Sequence, residues 1–186
     1  MQHLFTTRRT TLLTLILVAL LVLLCIAIFS CNSFSEWAFT RHHNLLSWYI
    51  RPLFLIPYCL FAWRRNLVAL LITLLLLFSS MFWFPAPLHH NASVTYFLTM
   101  EQDWLCQAWG LRKVLSLLII PLSLWFLAFI CWQHRLYWGL MMLTIVAIGK
   151  IIWSLWHSHA GAIVILPALC GLGICIAALL VIARRR

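Results

Sequence analysis

The amino-acid sequence predicts an all-α integral membrane protein, a single bundle of transmembrane helices. The mean hydropathy of the 186-residue chain is +1.03 and only 9% of its residues are charged, which excludes a soluble domain with a buried core. Apolar runs of about 18 residues or more recur along the chain, which is the length a helix needs to cross hydrocarbon. Because the runs lack the alternation of barrel strands, and lipid offers no partners for backbone amides, we expect them to be helices.

Six spans can be placed in chain order, and the connections between them are too short to hold a further domain. The spans cover residues 12–29, 45–63, 67–84, 114–132, 136–157 and 162–183. Residues 1–186 are therefore expected to form one integral membrane domain. The first span ends close to Cys31, as a lipoprotein signal does, but Phe29 stands where such signals carry a small residue. We interpret it as a retained span.

The distribution of cations predicts that both chain ends are cytoplasmic, because arginine and lysine favour that side of a membrane. The inner cations are Arg8, Arg9, Arg64, Arg65, Arg135, Arg184, Arg185 and Arg186, and the outer ones are Arg41, Arg112 and Lys113. Since the net charge of +10 is explained by these short basic segments, we predict no binding of nucleic acid. The short loops favour a bacterial inner (plasma) membrane.

Histidines gather in the three predicted outer loops. Imidazole is a ligand for copper, zinc and iron, and a neighbouring carboxylate orients its ring. One interpretation is therefore a transition-metal or porphyrin site closed by loops distant in sequence, and the other is a set of solvated loop residues. No fixed ligand spacing decides between them. The candidate metal ligands are His42, His43, His89, His90, His157 and His159.

Two cations lie inside predicted spans, Arg51 in the second and Lys150 in the fifth. Each is about seven residues from the outer end of its helix, or roughly 10 Å deep. Ionised groups in membrane helices cost a few kcal/mol and usually face the bundle interior. We predict that both point into one outward-open cavity that holds an anion; the alternative is that each side chain bends toward the lipid head groups. The candidate ligand-binding residues are Arg51, Lys150, Tyr58, Trp48, Ser154, Glu101 and Asp103.

The longest loop, residues 85–113, contains a predicted interfacial helix between the third and fourth spans. Its apolar residues recur at helical spacing, and they are Phe97, Met100, Trp104, Ala108 and Leu111. The helix is expected to lie flat on the outer face. Glu101 and Asp103 would then either reach the embedded cations or face water.

Three further features concern helix shape and pairing. Pro57, Pro121 and Pro167 interrupt the second, fourth and sixth spans and are expected to kink them.

Cys31 and Cys106 lie in outer loops, where an oxidising compartment would permit a disulfide. The segments "IPYCLFAWRRNL" and "IPLSLWFLAFICWQHRL" both lead an Ile-Pro helix to a turn, which indicates duplicated hairpins.

The sequence carries no P-loop, no nucleotide-binding fingerprint and no complete signature of a known six-span family. We therefore expect a small inner-membrane protein whose outward-facing polar site binds a small anion, a lipid head group or a metal, in a non-catalytic or accessory role. Two alternatives stay open, an enzyme acting on a lipid head group and a small transporter subunit. Membrane lipids are the expected partners, together with a homodimer or a larger membrane complex.

Overall fold

The structure, a computed structural model, describes residues 2–30, 33–89 and 91–184. All regular secondary structure in these ranges is helical, which confirms the predicted class. The α-helices are α1 (Gln2–Phe29), α2 (Ser33–His42), α3 (Leu46–Leu53), α4 (Leu55–Trp63), α5 (Leu67–Ser79), α6 (Ala92–Cys106), α7 (Leu111–Trp132), α8 (Leu136–His157) and α9 (Ile165–Arg184). Two 3₁₀ helices, Ser80–Phe82 and His159–Val164, follow α5 and precede α9.

Four helical segments are long enough and apolar enough to cross a membrane. They are Arg8–Phe29, Leu111–Trp132, Leu136–His157 and His159–Arg184. A fifth crossing is present if Ser33–His42 and Leu46–Trp63, which are bent by 94° relative to each other, form one broken span. Leu67–Phe82 is a shorter apolar segment. The described residues therefore support four or five crossings, and the count of six stays a prediction.

The predicted second span is divided into α3 and α4 at Phe54. Pro57 has no backbone N–H, so the carbonyl of Leu53 lacks its usual partner four residues on, and the helix is interrupted there. Pro121 lies inside an uninterrupted α7. Pro167 falls in the first turn of α9, where a missing N–H costs nothing. Only the first of the three prolines therefore coincides with a break.

Buried side chains form two separate clusters. The first joins α1, α2, α3 and α6, and its members are Ile28, Ala38, Phe39, Trp48, Met81, Val94, Phe97, Leu98 and Val164. The second joins α4, α5, α7, α8 and α9, and its members are Tyr58, Cys59, Ala62, Leu70, Leu127, Cys131, Leu143, Cys175 and Leu179. We call the part of the molecule around the first cluster the α6 end, and the part around the α4–α5 and α7–α8 turns the turn end.

The two turns at the turn end have the same backbone geometry. Arg65 (φ 54°) and His134 (φ 58°) adopt the left-handed conformation, and each donates its N–H to the carbonyl three residues earlier. The next residue in each turn donates to the carbonyl five residues earlier, which completes a Schellman motif. Trp63 packs edge-on against His134 with ring centroids 4.7 Å apart. The two hairpins therefore lie side by side.

Close contact between α3 and α9 holds the two parts of the chain together. A Cβ added to Gly171 would lie 2.4 Å from Cγ of Pro52, so only glycine allows this approach. The thiol of Cys175 donates a hydrogen bond of 3.2 Å to the carbonyl of Pro52. One turn of α9 is thereby fixed against the helix that carries Arg51.

We predict that Gly171→Val destabilises the protein by about 1–3 kcal/mol, the usual cost of overpacking a tight contact. The measurement is the temperature at which half of the detergent-solubilised protein is no longer monodisperse. Gly173→Val is the matched control, because no atom lies within 4 Å of a Cβ added at Gly173. An equal loss in both variants would contradict the proposed contact.

Candidate functional site

The candidate site is built at the α6 end, on the docked face of α6. Asn91 caps the helix by accepting hydrogen bonds from the N–H groups of Ser93 and Val94. Val94, Phe97 and Leu98 fall on one face at helical spacing, and each is 1% exposed. Because Glu101 follows Phe97 by one turn, it lies on the same docked face.

Aromatic contacts fix α6 against its neighbours. Phe97 packs edge-on against Trp48 of α3 at 5.7 Å, and Trp104 packs against Trp153 of α8 at 5.9 Å. The helix ends at Cys106. Ala108 therefore lies beyond α6, and Leu111 begins α7, so these two residues do not extend its apolar stripe as expected.

Lys150 forms an ion pair with Glu101, with Nζ and Oε1 2.7 Å apart. Its ammonium also lies over the rings of Phe97 (5.5 Å) and Trp153 (4.8 Å), which attract a cation through their negative faces. Of the two placements open for Glu101, the structure shows the contact with an embedded cation. Asp103 is exposed.

The charge of Arg51 interacts with this ion pair, but Arg51 has no direct contact with Glu101 among the ion pairs of the described residues. Its Nε is buried and has no hydrogen-bond partner within the described ranges. Its charge interacts with that of Glu101, yet the direct contact of that carboxylate is with Lys150. One carboxylate thus faces two cations. The two cations and the one carboxylate therefore carry a net positive charge. The Nε–H of Arg51 remains a donor without an acceptor among the described residues.

His42, the last residue of α2, is held in the same neighbourhood. Its Nδ1 lies 2.8 Å from Oγ of Ser47, and that hydroxyl donates its proton to the carbonyl of Asn44. Nδ1 of His42 is therefore the donor to Ser47, which leaves Nε2 unprotonated at neutral pH. Burial, followed by the charges of Arg51 and Lys150 and then of His43, lowers the pKa of His42 well below its ordinary value.

The remaining predicted binding residues lie in different surroundings. Trp48 is part of the first cluster and donates its indole N–H to the carbonyl of His42, at 2.9 Å. Tyr58 belongs to the second cluster and donates to the carbonyl of Leu124, because the break at Phe54 separates it from the face of Arg51. Ser154 is fully buried, and its Oγ has no partner within the described part of the chain.

The other histidines are dispersed. Nδ1 of His43 contacts the carbonyl of Phe39 at 2.8 Å, and the ring of His157 stacks on that of Trp153 at 4.6 Å. His89 and His159 are exposed, and His90 lies outside the described residues. Within the described ranges no three histidine, cysteine or acidic side chains are placed to hold a metal ion. The metal and porphyrin interpretation stays a prediction.

Sequence reasoning missed the role of Lys113, which it counted as an outer-loop cation. Lys113 is buried, donates to the carbonyls of Leu105 and Gln107 at the end of α6, and lies over the ring of Trp109. Lysine at a helix C-terminus satisfies carbonyls that have no partner in the helix. The sequence signal for this capping role was that Lys113 follows shortly after the apolar run of α6.

Cys106, the last residue of α6, is disulfide-bonded. The free thiols within the described residues are Cys25, Cys59, Cys131, Cys170 and Cys175. Cys31 lies outside the described residues, so its pairing with Cys106 stays a prediction.

The length and apolar composition of the helices indicate a helical integral membrane protein. Comparison with known proteins gives no matching family model, no matching curated protein and no matching solved structure. The site must therefore be interpreted from its own chemistry.

We predict that the neutral state of buried His42 makes stability depend on pH. Below about pH 6.5, the ordinary pKa of histidine, the unfolded chain binds a proton that the folded site excludes, so stability falls as pH decreases. Each pH unit below that value costs at most about 1.4 kcal/mol.

The measurement is thermal unfolding of the solubilised protein between pH 7.5 and pH 5. The wild-type loss should shrink in His42→Gln and persist in His159→Gln, which changes an exposed histidine. An unchanged pH dependence in His42→Gln would contradict the assignment.

Proposed function

We propose that the protein is a non-catalytic or accessory component of a bacterial inner membrane whose outward-facing site binds the phosphate of an anionic lipid head group or of free phosphate. The observation that carries this proposal is the buried Nε of Arg51, which has no hydrogen-bond partner within the described residues. Because Glu101 is in direct contact with Lys150, it neutralises Arg51 only in part, and a charge in a membrane helix that is not neutralised costs a few kcal/mol. Phosphate matches the charge of the Arg51 guanidinium and its fork of donors.

The charges around Arg51 support an anion as the ligand. Lys150 and Glu101 largely neutralise each other through their direct contact, and His42 stays neutral because it is buried. An arriving phosphate would therefore meet the positive charge of Arg51, with Lys150 close by. A cation would be repelled, which makes a metal at this position the weaker proposal.

The proposed topology has six spans, with both chain ends in the cytoplasm. Arg64, Arg65 and Arg135 are exposed at the turn end, and Trp63 and His134 pack together there, so both turns share one side. The positive-inside rule makes that side cytoplasmic. The α6 end is then extracytoplasmic, and α6 is the proposed interfacial helix.

An enzymatic role has less support. The only hydroxyl near Lys150 along the face of α8 is that of Ser154, one turn away, and Ser154 is fully buried. A nucleophile must reach its substrate. We therefore favour binding over head-group chemistry.

We predict that Arg51→Gln weakens binding of anionic lipid by about tenfold or more, since a charge-assisted hydrogen bond contributes roughly 1.5–3 kcal/mol. Native mass spectrometry would compare retention of phosphatidylglycerol and phosphatidylcholine by the wild type and the variant. Arg112→Gln is the matched control, because Arg112 is an exposed arginine in the first turn of α7.

A second arm distinguishes the two phosphate sources. Delipidated protein would be titrated with inorganic phosphate while its thermal stability is measured. Stabilisation by phosphate alone that is lost in Arg51→Gln identifies free phosphate as the ligand, and retention of phosphatidylglycerol alone identifies a lipid. No response of the wild type in either arm would reject the proposal.

We predict the orientation from reporter fusions. Alkaline phosphatase, which is active only outside the cytoplasm, should be active when fused after Gln107 and inactive when fused at the end of the chain. The expectation follows from the exposed arginines of the turn end. Activity of the second fusion would reverse the topology and would remove the site from the outer face.

A further inference from the structure

A second candidate site lies at the turn end, where a pair of thiols meets. Cys59 of α4 and Cys131 of α7 are 3% and 5% exposed, and both belong to the second buried cluster. Both side chains line the same cavity, which lies between α4, α7, α8 and α9. The two residues come from helices that are distant in sequence, so the packing of α4 against α7 creates the pair.

The pair opens onto a cavity. A space of about 140 Å³ is lined by both cysteines, by Trp63 and Gly139, and by Ile182 and Ala183 near the end of α9. The Sγ of Cys131 lies 3.4 Å from the position that a Cβ on Gly139 would occupy. Glycine thus leaves room beside one of the two thiols, and the cavity exceeds the roughly 10–15 Å³ that one water molecule requires on the same measure of volume.

The surroundings are apolar apart from the thiols, and this decides which ligand they suit. The third cysteine of the cluster, Cys175, already donates its thiol to the carbonyl of Pro52. No three metal-binding side chains are grouped within the described ranges. A cation that requires four ligands, as zinc does, therefore does not fit.

We propose that Cys59 and Cys131 form a two-coordinate site for a soft monovalent cation with a filled d shell, such as Cu(I) or Ag(I). Thiolates select such ions. Binding replaces the two thiol protons by one metal ion, giving a bis-thiolate complex of charge −1 and releasing two protons. No electron is transferred, and no further reactant is required.

The position of the site in the membrane is consistent with this ligand. On the proposed topology the turn end adjoins the cytoplasm, where thiols stay reduced. The exposed arginines of the same end, Arg64, Arg65 and Arg135, provide positive charge near the anionic complex. The thiol site is independent of the proposed phosphate site, which lies at the α6 end.

The test is competition for Cu(I) between the solubilised protein and the chelator bathocuproine disulfonate under anaerobic conditions. The wild type should withhold about one copper ion per chain, and Cys59→Ser/Cys131→Ser should withhold none. The matched control is Cys25→Ser/Cys170→Ser, which changes two free cysteines that lie outside the second cluster. It should retain the copper.

Three outcomes would overturn the proposal: no copper withheld by the wild type, copper retained by the Cys59/Cys131 variant, or copper lost in the control. If the Cys59/Cys131 variant is not monodisperse, X-ray absorption of copper-loaded wild type decides the question without a variant. Two sulfur neighbours support the site, whereas three sulfurs or a nitrogen ligand reject it.

Discussion

The docking of α6 determines how charge is arranged at its end of the molecule. Val94, Phe97 and Leu98 are almost completely removed from solvent, and their burial fixes the rotation of the helix about its axis. Because Glu101 lies on the same face, that rotation brings its carboxylate to Lys150. The apolar contacts thus decide which of two embedded cations is neutralised. Arg51 is left with a buried donor that has no partner within the described residues.

Local features of the sequence predicted much of the fold. The fourth and fifth spans were placed at 114–132 and 136–157, and the corresponding helices are Leu111–Trp132 and Leu136–His157, because the length of an apolar run is a local property. The second span differed, since its division at Phe54 depends on a proline lacking an N–H. That division moved Tyr58 out of the predicted binding face and into the other cluster.

The candidate site could be predicted only in outline. The anomaly of two cations inside apolar runs identified Arg51 and Lys150, and one of two alternatives for Glu101 was the ion pair that is present. The aromatic surroundings of Lys150 and the capping role of Lys113 depend on how α6 and α8 meet in space. Sequence spacing within one helix does not contain that information. The pairing of Cys59 with Cys131 was missed for the same reason, as their helices are far apart in the chain.

The repeated turns at Arg65 and His134 have a consequence for assembly in the membrane. Each closes its hairpin with backbone bonds between residues three and five positions apart, and contacts so local in sequence form quickly. We therefore expect each of the two helical hairpins to form before they associate with each other. On this expectation, the association that packs Trp63 against His134 is the later step, and it brings Cys59 and Cys131 to the same cavity.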